Sequence, residues 1–191
     1  MLKAYDFDKI EDDFFYARGP QTRCNAKFTL KDGSLINLFN EKIGAYDYVS
    51  LISKEKYSAG TEVSMECFFE GTGAPCLVFT DDMTDSPEFP EYKLHFEVCI
   101  HKDGVNFWHI LPLPSRPEWP VDSTNMLRVS TDIEKCGTLC KVKFGDKKIE
   151  IFINGKEYSL ECEDFPESFH VGFTACEGFC GFKSFSVKTE D

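Results

Sequence analysis

Residues 148–153 read Lys-Ile-Glu-Ile-Phe-Ile, and after Asn154-Gly155 the chain returns as Lys156-Glu-Tyr-Ser-Leu160. Side chains of an extended strand point alternately to two faces, so Ile149, Ile151 and Ile153 share one side. Asn-Gly accepts the left-handed backbone that a two-residue hairpin turn needs. A hairpin with one apolar face must bury it against a second layer. Lys31-Asp32-Gly33 and Lys102-Asp103-Gly104 repeat the arrangement, each between two runs rich in β-branched and aromatic residues. No run of twelve or more residues keeps a helical period.

Strands are expected near residues 25–30, 34–38, 46–53, 61–69, 76–80, 93–101, 105–111, 126–131, 138–144, 148–153, 157–161, 168–174 and 180–187. A helical turn or two is expected only around 8–16, where acids and aromatics mix. With 42% hydrophobic residues and 19 Phe, the chain has enough apolar material for a layered core. The fold class that follows is all-β, a two-sheet antiparallel β-sandwich. No linker or repeat divides residues 1–191, so one domain is expected; the proline-bearing loops Asp81–Glu91 and Pro112–Asn125 flank the same hairpin.

Charge excludes some partners. Lys and Arg number 21 against 33 Asp and Glu, a net of -12, and no segment gathers the cations needed to follow a phosphate backbone. Nucleic acid is not an expected partner. The first ten residues carry acids where a secretory signal needs an apolar run, and no later stretch is apolar for the length of a membrane helix. The expectation is a cytoplasmic chain without membrane contact.

The nine cysteines are an odd number and accompany no export signal, so reduced thiols are expected. Cys67, Cys76, Cys99 and Cys140 lie in strand-like runs, where a thiol serves as a small apolar filler. Cys136-x-x-x-Cys140 and Cys176-x-x-x-Cys180 do not match the two-residue spacing usual in structural zinc knuckles. The acidic loop Asp81-Asp82-Met-Thr-Asp85 could offer oxygen ligands to calcium, but it lacks the spacing of a dedicated loop. No cofactor is therefore expected. Phosphate loops, nucleophile elbows and His-x-x-x-His pairs are not found in the sequence.

Several segments of the C-terminal third taken together resemble a known closing motif: the strand ending in Asn154-Gly155, then Phe165-Pro166, His170-Val-Gly-Phe173, a Cys-Glu-Gly turn and Gly181-Phe-Lys-Ser-Phe-Ser-Val187. This is similar to concanavalin A-like lectin/glucanase and laminin-G-like domains. It resembles in particular the bacterial galectin-like proteins of unassigned function that accompany sugar-degrading systems. The resemblance covers residues 138–187 well and the rest loosely. It implies a jelly roll of two curved sheets with a ligand on the concave sheet and its rim loops. Fold alone does not set function, since this sandwich hosts lectins, hydrolases, lyases and adhesion modules.

A site must come from residues. In Lys93-Leu-His-Phe-Glu-Val-Cys-Ile-His101, the residues Leu94, Phe96, Val98 and Ile100 face one way, and His95, Glu97, Cys99 and His101 the other. Two imidazoles and a carboxylate on one face can donate to and accept from sugar hydroxyls. Register then decides between partners. A two-residue type I′ loop at Asp103-Gly104 would bring Asn106 and Trp108 beside Glu97; a glycine bulge would bring His109 instead. Trp108 could stack on a pyranose or lie in the core.

Arg116 and Trp119, in the loop Pro112-Leu-Pro-Ser-Arg-Pro-Glu-Trp-Pro120, could form a rim or pack on the sandwich edge. Laminarinase-type glucanases of this fold carry Glu-x-Asp-x-x-Glu as nucleophile and acid/base. Starting from Glu97, this chain has Cys99 and Lys102 at the second and third places. Two carboxylates are missing, which favours binding of an oligosaccharide or polysaccharide fragment over hydrolysis. The alternatives are a saccharide-active enzyme, hydrolase or lyase, using Glu97 and a histidine, and a structural module that binds protein.

Overall fold

The computed structural model describes residues 1–20, 22, 25–37, 48–86, 89–113 and 121–190. Strands hold 62% of the chain and helix 4%. In chain order the strands are β1 (Leu2–Ala4), β2 (Phe14–Ala17), β3 (Thr29–Lys31), β4 (Ser34–Ile36), β5 (Val49–Ser58), β6 (Glu62–Phe69) and β7 (Ala74–Thr80). Then follow β8 (His95–His101), β9 (Gly104–Pro112), β10 (Val121–Ser130), β11 (Thr138–Phe144), β12 (Lys148–Ile153), β13 (Lys156–Glu161), β14 (Ser168–Cys176) and β15 (Cys180–Lys188). Among the described residues no helix is long and apolar enough to cross a membrane.

Two antiparallel sheets result. One runs β13-β12-β11-β6-β15-β4-β3, with β1 also paired to β15; the other runs β10-β9-β8-β7-β14-β5-β2. The inner faces supply the core. Val63, Met65, Cys67 and Phe69 of β6 alternate with partly exposed residues, as do Ile149, Ile151 and Ile153 of β12. Against them lie Phe96, Val98 and Ile100 of β8 and Phe169, Val171, Phe173 and Ala175 of β14. Burial at about 25 cal/mol per Å² of apolar surface makes this layer the main source of stability.

The described backbone departs from the sequence reading in instructive places. Residues 14–17 form a strand rather than a helical turn, because β2 pairs with β5 and thereby buries Phe14 and Tyr16. A 3-10 turn over Phe7–Lys9 and one short helix over Ile10–Asp13 are all that remain of the helical expectation there. β10 begins five residues earlier than the expected 126. Asp122-Ser-Thr-Asn125 carries no apolar alternation, because an edge strand exposed on both sides needs none. Residues 25–28, expected in a strand, lie outside one. So does Leu94, yet it packs against the core as the alternation required.

Two hairpin turns follow the chemistry of their sequences. Asp32 and Gly33 have φ of 50° and 75°, and Asn154 and Gly155 have 47° and 83°, left-handed at both central residues. The third differs. His101 pairs with Gly104, so its two loop residues are Lys102 and Asp103, and neither has positive φ. Gly104 takes φ 148°, where a Cβ would stand 1.9 Å from the Val129 carbonyl oxygen of β10. The glycine serves the close approach of the neighbouring strand rather than the turn.

β7 explains the position of a cavity on this sheet. All seven of its residues are buried, so both of its faces are covered. Leu77 and Phe79 enter the main core, whereas Val78 joins Ala17, Ile52 and Tyr92 in a second small cluster on the outer face of the sheet. The chain holds Tyr92 there by pairing with Arg18: the Arg18 amide donates to the Pro90 carbonyl, and the Tyr92 amide to the Arg18 carbonyl. One part of the outer face is thus roofed, and a cavity remains beside it.

Candidate functional site

The cavity measures about 270 Å³ and lies on the outer face of the seven-stranded sheet. β8 contributes His95, Glu97 and Cys99; β9 contributes Trp108, directly opposite Glu97 in the ladder. Tyr48, Tyr92, Thr174 and Glu177 close the other side. Two carboxylates and no Lys or Arg stand among the described lining residues.

Glu97 keeps 22% of its side-chain surface exposed, and its Oε2 lies 3.6 Å from Nε2 of the buried His95. His95 is fixed on two sides. Its Nδ1 is 2.9 Å from the Lys93 carbonyl, to which it donates, and its ring meets the Tyr92 ring edge-on with centroids 4.9 Å apart. Nε2 is therefore left facing the carboxylate and the cavity. Tyr92 shares its hydroxyl with Ser50 at 2.9 Å, and Thr174 donates to Ser50 at 2.8 Å, so the buried floor is satisfied by its own hydrogen bonds. Burial pushes the phenols of Tyr48 and Tyr92 upward, and both remain neutral donors.

Glu177 is the member that sequence reading missed. It has φ 59°, uncommon for a residue with a Cβ, in the turn between β14 and β15. Its surroundings hold it. The Thr72 hydroxyl donates to its carbonyl, and fully buried Asn37 donates to Gly178 while accepting from the Cys180 amide. Burial raises the Glu177 pKa above the ordinary glutamate value, and the charge of Glu97 adds to the effect. The Cys-Glu-Gly sequence marks a turn, but nothing in it says where the carboxylate goes.

The other sequence candidates are placed as follows. Asn106 and Trp108 share the Glu97 face, which settles the register, but only Trp108 lines the cavity. His101 and Asn106 lie past Cys99, with His101 Nε2 and Asn106 Oδ1 buried. His109 points the opposite way and stacks on Phe96, rings 4.1 Å apart and 10° from parallel. It is a packing residue, since side chains on either side of Trp108 must face the other layer. Arg116 and Trp119 lie outside the described residues.

The metal candidates can be located too. In the acidic loop, Asp82 Oδ2 accepts from the Leu94 amide, an ordering contact ahead of β8. Among the described residues no group of three or more His, Cys, Asp or Glu is placed to hold a metal ion. Cys136 is exposed, whereas Cys140, Cys176 and Cys180 are buried.

Two half-buried histidines predict an acid response. Burial lowers the pKa of His109 and of His170, and the Ser53 carbonyl, 2.8 Å from His170 Nδ1, only partly offsets the effect there. A folded pKa below the unfolded value of 6.5 means that the folded chain binds fewer protons. The stability involved is present above about pH 6.5 and is lost as the pH falls through the folded values. Glu177 acts in the opposite sense, because its raised pKa lets the folded chain take up a proton first. Melting temperature should therefore fall between pH 7 and 5, and His170→Gln should flatten that fall; an unchanged slope would remove His170 from the account.

No family profile matches the sequence, and no curated protein does. Solved structures are similar at the level of the fold. The carbohydrate-binding module CBM66 from Bacillus subtilis superposes with a TM-score of 0.62 at 12% identity, covering 85% of this chain and 91% of that one. A legume lectin-like domain from Entamoeba histolytica gives 0.62 at 13% identity, over 99% and 97%. LamA from Zobellia galactanivorans, solved with laminaritriose and laminaritetraose, gives 0.61 at 10% identity, over 97% of each chain. The fold is the concanavalin A-like β-sandwich.

Proposed function

We propose that this protein binds a saccharide in the cavity on its seven-stranded sheet, as a lectin-like domain. The observation that carries the reading is Trp108 lying across the ladder from Glu97, inside a cavity that also presents His95, Tyr48 and Glu177. A flat ring covers the apolar face of a pyranose at small entropic cost, and the carboxylates and imidazole exchange hydrogen bonds with its hydroxyls. About 270 Å³ is at the low end for small-molecule sites, which suits one ring of a glycan better than a long buried chain. The similar structures named for or solved with carbohydrate, CBM66 and LamA with its laminaritriose, support the same direction. A glycan array probed with the purified protein, followed by titration of Trp fluorescence, tests it. Retention of no glycan would overturn the reading.

A second reading has its own observation. Glu97 of β8 and Glu177 of the turn after β14 line one cavity, and Glu177 is the one whose pKa burial raises. Glycosidases pair a protonated acid with an ionised carboxylate on either side of the scissile bond. On this reading Glu177 would be the acid and Glu97 the base or nucleophile. For location we propose a reducing compartment, supported by the exposed, unpaired Cys136.

A further inference from the structure

Two thiol clusters differ in what reaches them. Cys67, Cys140 and Cys180 are fully buried in or beside the main core, and burial raises all three pKa values, Cys180 to about 12. Cys76, Cys99 and Cys176 instead gather on three neighbouring strands at the cavity floor. Cys99 is half-buried and lines the cavity together with Cys176, while Cys76 is fully buried behind them. The Cys76 and Cys176 sulfurs are 3.6 Å apart, and Cys176 Sγ donates to the Ala74 carbonyl at 2.8 Å.

Cys99 stands apart within this trio. Side-chain contact with Cys176 and then with Cys76 holds its pKa below the ordinary thiol value against the opposing effect of burial, and nearby His101 acts the same way as the two thiols. A thiolate is the nucleophilic form of cysteine. Cys99 and Cys76 are also direct partners in the antiparallel ladder of β7 and β8. Opposed residues there have Cα atoms roughly 4.5–5.5 Å apart, inside the range a disulfide spans.

We propose that Cys99 is an oxidation site for small hydroperoxides entering the cavity, and that Cys76 resolves it into a cross-strand disulfide. The Cys99 sulfur attacks the peroxide; the S–O bond forms as the O–O bond breaks, and the alkoxide leaves and takes a proton to become an alcohol. Cys99 is then a sulfenic acid. The Cys76 sulfur attacks the Cys99 sulfur, the S–S bond forms as S–O breaks, and hydroxide departs with the Cys76 proton as water. Two thiols are oxidised, and one peroxide is reduced to alcohol and water. The bridge would form within the saccharide cavity floor, although the chemistry does not depend on a sugar being bound.

The test exposes the full chain to hydrogen peroxide in small molar excess, quenches with iodoacetamide and maps peptides without reduction. The expected result is a Cys76–Cys99 bridge with loss of two free thiols, and in the presence of dimedone an adduct on Cys99. Cys136→Ser should leave both unchanged, and Cys99→Ala should remove both while Cys136 oxidises as before. Since Cys99→Ala could disturb folding, the wild-type map decides on its own. Cys99 recovered as a free, alkylated thiol while exposed Cys136 is oxidised would overturn the proposal, as would a bridge that omits Cys99.

Discussion

Glu97→Gln should weaken binding of whichever saccharide the parent protein retains by roughly 10- to 150-fold, the equivalent of about 1.5–3 kcal/mol for one charge-assisted hydrogen bond. The fold should not notice. Glu97 lies on the outer face, with 22% of its side chain exposed and one long contact to His95, so the substitution keeps the shape and removes only the charge. Calorimetry measures the affinity, and a melting curve checks that folding survives. The same variant separates the two readings of the cavity. A binding protein loses affinity; an enzyme in which Glu97 handles protons or attacks carbon keeps affinity and loses turnover. Glu177→Gln extends the comparison, because an acid at that position should be as necessary for turnover as Glu97. If Glu97→Gln changes neither affinity nor product release, the cavity is not the site.

Phe173→Ala should destabilise the chain by about 3–5 kcal/mol, the usual cost of removing a large buried ring and leaving a cavity. Phe173 is fully buried on the inner face of β14. Around it stand the rings of Phe182 at 4.6 Å, Phe185 at 5.0 Å, Phe28 at 5.9 Å, Phe14 at 6.0 Å and Phe7 at 6.1 Å. These rings come from both sheets and from the N-terminal turn, so truncation unseats every layer at once. For a chain of this size the melting temperature should drop by roughly 6–20 °C. Phe15→Ala is the control: that ring lies half-exposed under Lys54 and should cost far less. Equal losses from the two substitutions, by urea or thermal unfolding, would contradict the assignment of Phe173 to the centre of the core.

The balance between sequence and structure is visible in single strands. Alternation in Lys148–Ile153 and the Asn154-Gly155 turn were sufficient to fix a hairpin, its register and the face it buries, because a period of two admits only two orientations. The alternation of residues 95–101 fixed in the same way which side of β8 is core and which carries His95, Glu97 and Cys99. It could not say that the loop is Lys102-Asp103, because Gly104 is demanded by Val129, a residue of a different strand. That one contact belongs with the register that turns Trp108 toward Glu97 and His109 toward Phe96. Strands without a one-sided pattern, such as residues 121–125, left no periodic trace to read.

What the sequence determined by itself is the all-β class, most of the strand positions and which residues share the outer face of β8, since these depend on local periodicity and turn chemistry. Only the tertiary structure decided that Tyr92 roofs part of that face, that Glu177 and Tyr48 close the cavity, and that Cys76, Cys99 and Cys176 meet beneath it. Those residues are distant in the chain and adjacent only through the order of strands β8, β7 and β14. Strand order is set by which apolar faces pack best together, a property of the whole core that no local stretch of sequence carries.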